Sequence, residues 1–222
     1  MNVGGLAAQT EQIPDLEFRI EDAYAQEYSA LPTIVFRLAV ASRGGQAVRA
    51  ALLDTQIQID ARARPYDSAD ADRLADLFGS SERWATTLRT LLWTRTTRVL
   101  PAFEGATVVD LPVACSYDLD VIAGRYFGGV GSGVIPLEFL FSGTVFYSGA
   151  GGMLQTARIS WEKEAAYSLP VAVWRETMDR HFPGTAWLRV STETYERLSA
   201  ERARRGEADF EGTLGALLGE GS

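Results

Sequence analysis

The sequence predicts an antiparallel β-sandwich of immunoglobulin-like type, mainly β, with inserted and C-terminal helices. Several segments alternate apolar and polar residues with a period of two, as strands with one buried face do. A long apolar run at 134–147 is followed by a glycine-rich turn and a returning strand, which is a hairpin pattern. Crossover helices between consecutive strands are mostly missing, which excludes a doubly wound parallel sheet.

The third of the predicted strands shows the alternation most clearly. Its odd-numbered residues from Leu53 to Ala63 are apolar or small, and its even-numbered residues from Asp54 to Arg64 are polar. Pro65 ends it. The seven predicted strands are residues 16–21, 34–40, 53–64, 93–100, 107–113 and the two arms of the hairpin, 134–147 and 153–167.

The predicted organisation along the chain has four parts. They are a flexible leader at 1–14, a β-sandwich domain at 15–168 with a helical insert at 67–92, a C-terminal helical extension at 169–205 packed on it, and an acidic tail at 206–222. A further short helix is expected after the fifth strand, followed by a flexible glycine loop at 128–133. The tail is expected to be disordered, with a weak amphipathic segment around Phe210 and Leu217 as the alternative.

Composition limits the classes of function. The 222-residue chain carries a net charge of -8, which argues against a nucleic-acid phosphate partner and against an anionic membrane surface. Neither a signal peptide nor a spanning run of about 20 apolar residues is present in the sequence. The single cysteine, Cys115, cannot form an internal disulfide, so a reducing, cytoplasmic location is predicted.

Reactive constellations are not found. The only histidine, His181, stands at a predicted helix end and is interpreted as a C-terminal cation or a surface residue. One cysteine and one histidine cannot build a zinc or iron–sulfur cage, and the glycines at 129, 131 and 133 do not have dinucleotide-binding spacing. No catalytic, cofactor-binding or metal-binding residue, and no cofactor, is therefore predicted.

Two alternatives stay open. The pairs Glu162/Glu164 and Asp118/Asp120 have the spacing that puts two carboxylates on one strand face, which an enzyme of unfamiliar type could use. Among the five tryptophans, Trp161 and Trp187 lie near the ends of predicted elements, where an exposed indole can anchor a protein partner. The same two residues could instead serve a small-ligand or carbohydrate-binding module.

Several motifs together resemble one protein family. They are residues 74–79 through Trp84, the pair Leu92-Trp93, 109–113, 141–147, and 169–176 through 187–189. This pattern resembles an uncharacterised bacterial family that is found mainly in actinobacteria and is often encoded beside nickel–iron hydrogenase genes. The resemblance implies no catalytic residues. It implies an accessory or assembly partner of such a hydrogenase.

The sequence and the resemblance together favour a non-enzymatic, protein-binding accessory factor. A hydrogenase catalytic or electron-transfer subunit holds its metals through several cysteines, and one cysteine excludes both of those roles. The expected partner is a protein bound at Trp161 or Trp187, and the candidate that the resemblance implies is a hydrogenase subunit. The sequence does not indicate the oligomeric state.

Overall fold

A computed structural model of the chain describes residues 13–115, 121–185 and 190–219. These residues form eight strands, all paired antiparallel, in two sheets. The first sheet has the order β1 (Asp15–Ala25), β2 (Thr33–Arg43), β5 (Ala106–Ala114). The second has the order β4 (Thr90–Leu100), β3 (Val48–Asp60), β6 (Val134–Ser148), β7 (Leu154–Ile159), and β8 (Glu164–Pro170) also pairs with β6.

This strand order confirms the predicted β-sandwich with added helices. The first, second and fifth strands share one sheet, as in immunoglobulin-like sandwiches, and the fourth strand pairs with the third strand in the opposite sheet. The alternation in β3 is also confirmed, because the odd-numbered residues from Leu53 to Ile59 are all buried, whereas the even-numbered residues from Asp54 to Asp60 are exposed or half-buried. The strand begins and ends earlier than predicted, at Val48 and Asp60.

Aromatic rings join the two sheets. Phe36 of β2 meets Phe139 of β6 and Trp93 of β4 edge-on, with ring centroids 5.1 and 6.1 Å apart. Phe18 of β1 stacks on Phe141 of β6 at 4.3 Å. Each buried aromatic ring contributes a few kcal/mol of hydrophobic stabilisation, so these contacts hold the sheets face to face.

The returning arm of the central hairpin differs from the prediction. It is two strands, β7 and β8, with a turn at 160–163 between them. β7 pairs with residues 143–148 of β6 and β8 pairs with residues 134–140, so the two short strands share one edge of the long strand. Period two alone does not reveal such a break, because the alternation continues on both sides of the turn.

The helical insert also ends earlier than predicted. It consists of α1 (Ser68–Arg73), α2 (Ala75–Phe78) and, after a single 3-10 turn, α3 (Trp84–Thr87). β4 already begins at Thr90, because Leu91 and Trp93 enter the core. The other helices of this part of the chain are α4 (Val121–Gly129) and α5 (Val171–His181).

The chain divides into two compact units, Met1–Pro183 and Gly184–Ser222. The division falls after α5. The second unit contains α6 (Thr192–Arg205), which is capped by the Ser191 hydroxyl, and α7 (Phe210–Leu218). Residues 210–218 of the predicted acidic tail therefore form a helix, which corresponds to the amphipathic alternative, and the Asp209 carboxylate caps it. The predicted leader up to residue 12 and the predicted extended piece at 186–189 lie outside the described residues.

Candidate functional site

The turn between β7 and β8 carries the most exposed tryptophan of the described chain. The turn closes where the Lys163 amide donates to the Ser160 carbonyl at 3.2 Å. The Trp161 side chain is 83% exposed there. Trp84, Trp93 and Trp174 are buried in the core. Trp187, the second predicted partner-binding residue, lies outside the described residues.

A cleft of about 800 Å³ lies beside this turn. Its lining combines small and apolar side chains of β2 and β5 with charged side chains of β1 and of the turn. The residues that define it are Glu17, Arg19, Ala39, Ala41, Val108 and Lys163. Its shape suits contact with a side chain or a loop of another molecule.

The charge around the cleft is negative. Lys163 is paired with Asp15 at 2.5 Å, Arg19 with Glu21, and Arg43 with Glu17. Glu162 and Glu164 form no ion pair with another described residue, and both are exposed. The exposed Trp161 is therefore followed in the chain by two carboxylates, Glu162 and Glu164, that have no ion-pair partner among the described residues.

The predicted carboxylate pair does not form one strand face. Glu162 lies in the turn and Glu164 begins β8, so the turn separates them. Asp118 and Asp120 lie outside the described residues. A second cleft, of about 720 Å³, lies between residues 132–133 and α5, and its charged side chains include Arg175, Glu176 and Asp179.

A buried ion cluster holds the helical insert to the glycine loop. Asp70 of α1 is 3% exposed, and its carboxylate accepts from Arg64 at 3.1 Å, from Arg73 at 2.7 Å and from the Gly131 amide at 2.7 Å. Four lone-pair sites thus receive three charge-assisted or main-chain bonds. These three bonds fix the buried carboxylate between α1 and the glycine loop, which is a structural role.

The same arginines fix the loop itself. Arg64 donates to the carbonyls of Ser132 and Val134, at 3.3 and 3.1 Å, and Arg73 donates to the Gly129 carbonyl at 2.7 Å. Arg175 of α5 donates to the Gly131 carbonyl. The sequence predicts a flexible connection here; instead, α4 extends through Gly129 and three guanidinium groups bind the main chain that follows.

A tyrosine pair lies under this cluster. The Tyr66 and Tyr126 hydroxyls are 2.7 Å apart, and Tyr66 also donates to the Ala61 carbonyl at 2.6 Å. Tyr126 is fully buried, so desolvation raises the pKa of its phenol well above the usual value, and the hydrogen bond with Tyr66 raises it further.

This raised pKa predicts an alkaline loss of stability. Above pH about 10 the unfolded phenol loses its proton while folded Tyr126 keeps it, so the free energy of unfolding falls as pH rises, by about 1.4 kcal/mol per pH unit. We expect Tyr126→Phe to remove this part of the slope in urea titrations between pH about 10 and 11. Tyr28→Phe is the control, because its ring is 93% exposed. An unchanged slope in Tyr126→Phe would contradict the assignment.

The sole histidine lies at a helix end, as predicted, and both of its ring nitrogens also contact main-chain carbonyls. His181 ends α5, and its ring is half-buried with Nδ1 3.0 Å from the Thr177 carbonyl and Nε2 3.2 Å from the Ser29 carbonyl. It therefore ties the helix end to the connection between β1 and β2. Cys115 is 2% exposed and packs in the core, as a small hydrophobic residue does.

Metal and membrane features can be assessed for the described ranges. Within 13–115, 121–185 and 190–219, no three His, Cys, Asp or Glu side chains come together in a way that could hold a metal ion. In the same ranges, no helix has both the length and the apolar character needed to cross a bilayer.

One family model matches this chain over most of its length. The model of a family of unknown function, DUF6084, matches residues 13–222. No curated protein matches the chain.

Solved structures resemble it only distantly. A CARDB domain from Pyrococcus furiosus, solved with di-metal ions, is 10% identical with a TM-score of 0.28, covering 71% of this chain and 92% of that one. A β-glucosidase from Kluyveromyces marxianus is 13% identical with a TM-score of 0.25. β-Glucosidase 3B from Thermotoga neapolitana is 14% identical with a TM-score of 0.26. Each alignment with these two enzymes covers 70% of this chain but only 15% and 17% of the enzyme.

Proposed function

Since this chain belongs to DUF6084, a family of unknown function, we propose from its own residues that it is a non-enzymatic accessory factor that binds another protein through the Trp161 turn. The binding surface consists of Trp161, Glu162 and Glu164 together with the adjoining cleft on β1 and β2, and we call it the Trp161 surface.

The exposure of Trp161 is the observation that carries this proposal. An indole is among the most costly side chains to leave in water, and the tryptophans of the core are all buried. Tryptophan is also the residue most enriched among the few positions that dominate binding energy at protein interfaces. The main chain of the turn is closed by the Lys163–Ser160 hydrogen bond and continues into two strands paired with β6, so the backbone that carries Trp161 is ordered before binding, which reduces the entropy lost on association.

Charge narrows the chemistry of the partner. The carboxylates of Glu162 and Glu164 follow Trp161 closely in the chain and form no ion pair with a described residue. A matching surface would offer an apolar pocket for the indole with arginine or lysine side chains at its rim. Rim charges mainly raise the association rate, so binding should weaken as salt is added.

The resemblance to a family encoded beside nickel–iron hydrogenase genes supplies a candidate partner. We propose that the Trp161 surface binds a subunit of such a hydrogenase and assists its assembly or function. In this role the accessory factor binds a surface of the hydrogenase subunit and contributes no metal ligand to the enzyme.

Affinity capture from the organism that encodes the chain tests this proposal. We expect tagged wild-type protein to retain hydrogenase subunits, identified by mass spectrometry, and Trp161→Ala to retain at least tenfold less, since loss of a central aromatic anchor costs about 2 kcal/mol or more. Tyr28→Ala is the matched control, because it removes an aromatic ring that is 93% exposed on a different loop.

Two results would count against the proposal. Capture of the same subunits by wild type and by Trp161→Ala would show that the turn is not the binding surface. Absence of any captured subunit, combined with a rise in Tm on addition of small molecules, would favour a ligand-binding function instead.

A further inference from the structure

The second sheet ends on a long strand that has an open side. β4 pairs with β3 on one side, and no other strand in the described ranges pairs with it. It has 11 residues and contains no proline. The first sheet has two edge strands, β1, which is also free of proline, and β5, which contains Pro112. A proline-free edge of this length is a template for pairing with another chain.

The main-chain hydrogen bonds between β6 and the strands β7 and β8 show which residues of each strand bond to which neighbour; we call this alternation the hydrogen-bonding phase of the sheet. In an antiparallel ladder, alternate residues direct both N–H and C=O to one neighbour. The Phe141 amide donates to Lys163 at 2.8 Å, and the Gly149 amide donates to Met153 at 2.8 Å. Odd-numbered residues of β6 therefore direct their main-chain N–H and C=O groups to β7 and β8, and even-numbered residues of β6 direct theirs to β3.

This phase fixes which main-chain groups of β4 are open. The even-numbered residues of β3 lie opposite the even-numbered residues of β6 and form main-chain hydrogen bonds with them. The odd-numbered residues of β3 therefore form theirs with β4, at Thr94, Thr96 and Arg98. Arg95, Thr97 and Val99 then direct their N–H and C=O groups to the open side. An added strand can make up to six main-chain hydrogen bonds there.

Side-chain contacts agree with this phase. Side chains come closest at pairs that exchange no main-chain bonds. Thr97 donates to Asp54 at 2.6 Å and Arg95 donates to Gln56 at 2.9 Å, and both are cross-strand pairs of that kind.

The side chains along the open side are basic and apolar. Arg95 and Arg98 are exposed, and neither forms an ion pair with a described residue. Val99 is 65% exposed and lies opposite Leu52, which is 41% exposed, on the outer face of the sheet. Two arginines without an ion-pair partner, close in the chain to an exposed apolar pair, are unusual on a chain of net charge -8.

We propose that β4 accepts an extended segment of a partner protein as an additional antiparallel strand. The segment carries acidic side chains opposite Arg95 and Arg98 and an apolar side chain opposite Val99. Opposite charges and apolar pairs directly across two strands each add to pairing, and like charges oppose it. A second copy of β4 fits less well, because a two-fold axis at Thr97 brings the two Arg98 side chains diagonal to each other on one face.

A synthetic peptide tests this strand-addition site on the full chain. The probe is acetyl-Thr-Val-Glu-Thr-Val-Glu-Thr-amide, which sets valine opposite Val99 and glutamate opposite Arg98 and Arg95. We expect it to slow amide hydrogen exchange at Arg95, Thr97 and Val99, measured by NMR. The slowing should be about tenfold when the peptide is at about ten times its Kd. The amides of Thr94, Thr96 and Arg98 already bond to β3 and should not change.

Matched probes and variants separate this site from unspecific binding. A peptide with lysine in place of both glutamates should bind about tenfold more weakly, and the variant Arg95→Glu/Arg98→Glu should reverse that preference. Thr97→Pro should abolish the protection and Thr97→Val should keep it. N-methylation of the peptide residue opposite Thr97 should weaken binding even if Thr97→Pro fails to fold.

Other results would overturn the proposal. These are an absence of protection at millimolar peptide, protection that does not alternate along β4, or equal binding of the glutamate and lysine peptides. The Trp161 surface does not enter this test, so the outcome at β4 is independent of the outcome for the proposed function.

Discussion

Asp70→Ala is expected to lower the free energy of unfolding by about 3–5 kcal/mol, the cost of removing one partner from a buried ion pair. The side chain of Arg64 is 9% exposed, and without Asp70 its charge would stay in the protein with only carbonyl acceptors. The Gly131 amide would lose its acceptor as well. Urea unfolding followed by far-UV circular dichroism measures the change.

A surface ion pair gives the matched control. Asp76 and Arg125 are 3.5 Å apart and both side chains are 56% exposed, so Asp76→Ala should cost at most about 1 kcal/mol. Asp70→Asn should fall between the two, since the amide keeps the shape and one acceptor but not the charge. If Asp70→Ala and Asp76→Ala cost the same, the cluster does not hold the loop.

The Asp70 cluster also shows what the sequence did and did not predict. Asp70 stands four residues before Leu74, so it shares the buried face of the predicted helix, which is an unusual place for a carboxylate. That signal was present. Its partners were not predictable, because Gly131 comes 61 residues later and only the fold brings its amide to the carboxylate.

The strands were predictable for the opposite reason. Burial of one face of a strand is a local pattern, so β1, β2 and β3 follow from the spacing of apolar residues alone. The division of the returning arm into β7 and β8 is not local, since it depends on both strands sharing one edge of β6. Trp161 was singled out because it lies near an element end, and the turn that exposes it became evident only in the structure.

Gly143→Ala is expected to be the other most damaging single change, costing roughly 2–6 kcal/mol from backbone strain and overpacking together. Gly143 has φ +136°, a conformation that residues with side chains rarely adopt. It is the first residue of β6 that pairs with β7, just past the stretch that pairs with β8. A Cβ atom there would lie 2.0 Å from the Leu52 carbonyl oxygen of β3. Because that atom belongs to the main chain of a central strand, it cannot move without disturbing both ladders of β3.

Gly151→Ala separates the strain from the close contact. Gly151 also has a positive φ, +71°, but a Cβ atom on it would meet nothing within 4 Å, so this change should cost only about 1–2 kcal/mol. The difference between the two variants in urea unfolding measures how tightly β3 and β6 approach at Gly143. Equal costs would mean that β3 yields at this point. A larger cost for Gly143→Ala would show that the long central strand owes its continuity past the β7–β8 division to a residue without a side chain.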